Sequence, residues 1–66
     1  MTTIDTEAAA LMLGITPNAV RILAHRHPDR LPRRGRDAHG RTLYAVEDVE
    51  RIIEARRTAE RERMSA

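Results

Sequence analysis

The side chains with chemistry to offer in this chain are its arginines, and they are unevenly placed. Twelve arginines and no lysine occur in 66 residues. Seven of them (Arg21, Arg26, Arg30, Arg33, Arg34, Arg36 and Arg41) lie between residues 21 and 41 against Asp29 and Asp37 alone, a net charge of +5. Residues 1–20 hold Asp5 and Glu7 and no arginine, giving −2, while residues 42–66 set five arginines against six acids, giving −1. A basic middle with histidines beside it is the electrostatic footprint of a polyanion partner. The planar guanidinium fork suits that partner because it grips phosphate or guanine with two parallel hydrogen bonds. A GC-rich coding bias accounts for arginine over lysine. It does not account for the clustering.

Other chemistries find little support. The only serine is Ser65, there is no cysteine, and the three histidines have no nucleophile or carboxylate at a recognisable spacing, so an enzyme is not expected. His25 and His27 are two apart and point to different sides of a helix, so neither a metal site nor any other cofactor is expected. Stacking on RNA bases needs aromatic side chains, and Tyr44 is the only one, with burial its expected fate. No apolar run approaches the roughly 20 residues of a membrane span, and no basic-plus-apolar leader opens the chain. The expected setting is the cytoplasm, without a membrane partner. A chain this short buries only about 60% of its exposable surface, so a small, marginally stable core is expected.

The elements that must carry the arginines can be read from the spacing. Thr2–Asp5 reads as a short lead-in, with Ile4 tucked against the core. Thr6, or Asp5 before it, caps a helix over Glu7–Leu13, which Gly14 ends in a left-handed turn. Thr16-Pro17 restarts a helix that runs to about His27, where Pro28 stops it. Small Ala10, Gly14, Ile15 and the Val20–Leu23 pair suit a close crossing of two helices joined by a short turn, which is a helix-turn-helix. The second helix then exposes Asn18, Ala19, Arg21, Ile22, His25 and Arg26, with Thr16 at its start.

Residues 31–36 and 41–44 flank Asp37-Ala38-His39-Gly40, whose ends match a type I turn, so a β-hairpin is expected with Leu43 as its inward residue. Its tip and arms carry Arg33, Arg34, Arg36, His39 and Arg41. A third helix begins at Val46, where Val46, Val49 and Ile53 fall at i, i+3 and i+7, with Ile52 alongside, as the apolar stripe that closes the core. Ala45 stands where a capping residue is wanted, a loss of roughly 1 kcal/mol partly offset by Glu47 and Asp48. Arg51 can pair with Glu47 or Asp48. Residues 1–55 read as one domain, and residues 56–66 as a charged helical extension or flexible tail. The fold class is therefore mainly α with a small β-hairpin: three helices and a basic wing.

Gly14-Ile15-Thr16, Ala19-Val20-Arg21, Leu31-Pro32, Gly40-Arg41-Thr42-Leu43-Tyr44 and Glu47-Asp48-Val49, in that order, make the chain resemble the winged helix-turn-helix of the MerR superfamily over residues 3 to about 55. It is most similar to the stand-alone excisionases, small recombination directionality factors of phages and integrative elements. The resemblance implies that the second helix enters the major groove of double-stranded DNA, with Asn18, Arg21, His25 and Arg26 at base edges and phosphates. It implies that Arg33, Arg34, Arg36, His39 and Arg41 act from the wing, and that Tyr44 and Val49 are structural. Full MerR-type activators also carry a long dimerisation helix and an effector domain, neither of which is expected in these residues. Excisionase-like proteins line up on adjacent sites, bend DNA and direct an integrase, so an integrase is the partner implied; the charge segregation, a basic middle against an acidic third helix, suits head-to-tail contact between neighbouring copies on DNA. The alternatives are a small MerR-like transcription regulator on an operator, an antitoxin-like repressor, and a protein-interaction module using the third helix.

Overall fold

The computed structural model describes residues 1–65, and the longest connection between its elements is residues 27–34. They are β1 (Thr3–Asp5), α1 (Thr6–Leu13), α2 (Pro17–Arg26), β2 (Gly35–Arg36), β3 (Thr42–Ala45) and α3 (Val46–Ser65). Among the described residues, the protein is thus mainly helical, with three helices and one three-stranded antiparallel sheet in the order β1-β3-β2. Two expectations change here. Residues 3–5 are a strand, paired Thr3 to Ala45, Ile4 to Tyr44 and Asp5 to Leu43, where a lead-in was expected. The hairpin, paired Gly35 to Leu43 and Arg36 to Thr42, is consequently two strands of three.

Capping explains the first two helices. The Asp5 carboxylate accepts from the Ala8 N–H at 2.8 Å, so Asp5 rather than Thr6 caps α1. Gly14 closes α1 with φ +69°, a left-handed conformation that a side chain would strain. Thr16 caps α2 by accepting from the Ala19 N–H at 3.1 Å, and Pro17 occupies the first turn, where its missing N–H costs nothing. The chain bends by 95° between α1 and α2. No single helix among the described residues is long and apolar enough to cross a membrane.

The core gathers Ala9, Ala10 and Leu13 of α1, Val20 and Ala24 of α2, Leu31, Tyr44 and Val49, with Ile4, Ile15, Leu23, Ile52 and Ile53 packed at its edge. Small alanines at three of these positions let the helices approach closely. Tyr44, and not Leu43, is the inward residue of β3: Tyr44 is fully buried and Leu43 only half-buried. Neighbouring strand residues face opposite sides, and Ile4 opposite Tyr44 shares its inward face. Leu31 is delivered from the connection after α2, where the Arg30 and Leu31 N–H groups both donate to the His27 carbonyl at 3.0 Å.

At the head of α3 the missing cap is supplied from elsewhere, because the Val46 N–H donates to the Thr2 carbonyl at 3.0 Å. Residues 54–65 continue α3 as helix where a fraying tail was one expectation; Ala66 lies outside the described residues. Glutamate, alanine and arginine are good helix formers, and Arg61 pairs with Glu54 at 3.0 Å. Arg56 also donates to the Leu13 carbonyl at 3.3 Å, fastening α3 to the open end of α1. Leu31→Ala should lower stability by about 3 kcal/mol, seen as a lower urea midpoint at unchanged slope. An unmoved midpoint would place Leu31 outside the core.

Candidate nucleic-acid interface

The exposed side of α2 follows from the side it buries. With Val20 and Ala24 inward, Asn18, Arg21, Ile22, His25 and Arg26 are left exposed, as the spacing predicts, while Ala19 is half-buried. Thr16 is exposed too, with one lone pair of its hydroxyl oxygen engaged as the cap of α2 and its O–H free to donate.

The hairpin tip is built by Asp37. One carboxylate oxygen accepts from the His39 and Arg41 N–H groups, both at 2.9 Å. The Gly40 N–H donates to the Asp37 carbonyl at 3.1 Å and Gly40 takes φ +76°, the pattern of a type I turn closed by a glycine bulge. Two backbone donors and the nearby cations hold the Asp37 carboxyl below its ordinary value of 3.8, the Arg41 N–H contributing most.

Two open grooves join α2 to the segment that forms the hairpin. One, of about 270 Å³, sets Arg21 of α2 beside Gly40, Arg41 and Thr42, with Asp5, Thr6 and Glu7 at its other wall. The other, of about 310 Å³, sets Ala24 and His25 beside Pro28, Pro32 and Arg33. The two grooves thus bring together four of the expected residues, Arg21 with Arg41 and His25 with Arg33. Arg36 on β2 and His39 at the tip are exposed outside them.

The arginines divide into two kinds. Arg34 donates through Nε to Asp48 Oδ2 at 3.2 Å and pairs through Nη2 at 3.1 Å, while Arg51 reaches Asp48 Oδ1 at 3.2 Å. The Asp48 side chain is only 4% exposed and that of Arg34 is 39% exposed, so Arg34 ties the base of the hairpin to α3. Arg41 pairs with Asp5 at 3.4 Å and keeps a 57% exposed side chain. Arg21, Arg26, Arg33 and Arg36, by contrast, form no ion pair among the described residues. Asp48 and Asp5 organise this surface and were not singled out for that by sequence. Their partners across the fold lie 14 and 36 residues away, and the sequence shows only their local roles, Asp5 as a cap and Asp48 as a partner for Arg51.

Among the described residues no group of three or more His, Asp or Glu is placed to hold a metal ion. Comparison with known proteins gives no match: no family model fits the chain, and no curated protein or solved structure matches it.

The Asp37 turn carries a pH dependence. A carboxylate whose pKa is lowered by folding supports the folded turn above its unfolded value and loses that support as pH falls through the folded value. The His39 and Arg41 amide resonances should therefore titrate together with a midpoint below 3.8, and Asp37→Asn should abolish the step. A midpoint at or above 3.8 would contradict the hydrogen-bonded turn.

Proposed function

We propose that this chain is a sequence-specific double-stranded DNA-binding module of the winged helix-turn-helix type. The observation that carries this reading is the placement of Arg21, Arg26, Arg33 and Arg36. They have no ion pair among the described residues, and they stand on an exposed helix face and an adjoining hairpin segment. The 95° bend between α1 and α2 lies in the range of helix-turn-helix units, and an α-helix fits the major groove. In this reading α2 addresses base edges through Asn18, Arg21, His25 and Arg26, and Arg33, Arg36, His39 and Arg41 hold the flanking phosphates. Arg34 acts indirectly, by setting the hairpin against α3 through Asp48.

A single module of this size buries roughly 600–1,000 Å² on DNA, so useful affinity calls for several copies side by side. That need, with the resemblance to excisionases, supports the role of a recombination directionality factor that bends DNA for an integrase. Neighbouring copies meet in this scheme basic hairpin to acidic α3. Glu54 is already paired with Arg61 and Asp48 with Arg34 and Arg51, which leaves Glu47, Glu50, Glu60 and Glu62 as acids for a neighbour's arginines. An operator-binding transcription regulator uses the same face with a different site layout.

Selection from a random duplex pool at about physiological salt tests the reading. Direct repeats about one helical turn apart support side-by-side assembly, inverted half-sites support an operator-binding dimer, and no enrichment overturns sequence-specific binding. On the selected site, Arg21→Ala should weaken binding strongly. Arg36→Ala should weaken it evenly across sequences and lower the salt slope by about one unit. Arg34→Ala should instead show its main effect as a lower unfolding midpoint. Wild-type binding by both Arg21→Ala and Arg36→Ala would move the DNA face elsewhere.

A further inference from the structure

Ile22 occupies the outermost position of α2. At about 100° per residue, it stands about 160–200° round the helix from Val20 and Ala24, the two side chains that α2 buries. It is 45% exposed and belongs to neither the core nor its edge. Asn18 and Arg26 lie one turn to either side of it, with Arg21 and His25 between. Single exposed aliphatic residues are ordinary on protein surfaces. This one is set among hydrogen-bonding and cationic side chains at the crest of the helix assigned above to the major groove.

We propose that Ile22 is a specificity-determining residue that reads the 5-methyl group of a thymine. The inference rests on the DNA-binding reading and names the base that the middle of the helix face selects. The thymine methyl is the apolar group that the four bases display on the major-groove floor. An isoleucine offers no hydrogen bond, so against cytosine N4 or adenine N6 it would leave a polar group without a partner, whereas against the methyl it buries apolar surface. Asn18, one turn earlier, carries the amide that matches adenine N7 and N6. Side chains one turn apart are about 5–6 Å from each other, and base pairs are about 3.4 Å apart, so the two residues address base pairs one or two steps apart. The site read by α2 accordingly contains an A·T pair one or two steps from the thymine.

Deoxyuridine isolates the methyl, because it differs from thymidine in nothing else. Each dT of the selected site is replaced singly by dU, and the dissociation constant is measured for the wild type, Ile22→Ala and Leu11→Ala. Leu11, 84% exposed on α1, is the control. One dU should weaken wild-type binding about fourfold, the worth of one buried methyl. Ile22→Ala should be indifferent to that dU, and Leu11→Ala should keep the wild-type response. Indifference of the wild type to every dU on a selectively bound site overturns the assignment of Ile22 and leaves the DNA reading standing, as does an undiminished dU effect in Ile22→Ala. Absence of any selectively bound duplex overturns both.

Discussion

Pairing of residues 3–5 with residues 43–45 is the constraint on which the rest of the molecule depends. It brings the start of α1 to the base of the hairpin, so the helix pair and the hairpin share one frame. Closing a loop of about 40 residues costs on the order of 3 kcal/mol in chain entropy. That cost is offset where Ile4 and Tyr44 cover one another on the inward face and where the Thr2 carbonyl receives the first N–H of α3. Asp5 concentrates the constraint in one side chain. It is paired in the strand, one carboxylate oxygen caps α1, and the other holds Arg41 near the hairpin tip.

The arginines are better understood by what surrounds them than by their number. Arg34 and Arg51 share a carboxylate that is nearly inaccessible, and hydrogen bonds to a charged group so placed are worth about 1.5–3 kcal/mol. Arg41 with Asp5 and Arg61 with Glu54 are exposed pairs, each worth no more than about 1 kcal/mol. Arg34 thus joins the hairpin base to α3 and Arg41 joins it to the start of α1, while Arg51 and Arg61 pair within α3. Among the described residues, Arg21, Arg26, Arg30, Arg33 and Arg36 form no ion pair on α2 and the segment running through β2, and Arg56, Arg57 and Arg63 form none on α3.

What could be read from sequence was what is decided locally. Asp5 or Thr6, Gly14, Thr16-Pro17 and Asp37–Gly40 act on backbone groups within four residues of themselves, and each cap or turn stands where its residue types place it. What escaped is decided at a distance. Residues 3–5 are too few to show a period, and they become a strand only because β3 offers an edge. The period-2 pattern of residues 42–44 leaves open which face is inward, and the pairing of Tyr44 with Ile4 turns the larger ring, and not Leu43, into the core. Arg34 reads as one more cation of a basic run until Asp48, 14 residues on, is found beneath it. On the site itself, the exposed face of α2 followed directly from its buried face, and the split between paired and unpaired arginines did not.

The same split links stability to binding. Arg33 and Arg36 lie close in the chain near the engaged Arg34, and Arg21 and Arg26 stand on the adjoining helix, so their mutual repulsion acts against the folded state. A chain of 66 residues has only about 3–10 kcal/mol of total stability to set against that repulsion. A polyanion bound across this surface removes the repulsion and adds its own binding free energy to the folded state alone. In the DNA-binding role proposed above, the repulsion that costs the isolated domain stability is the repulsion that a bound polyanion would remove.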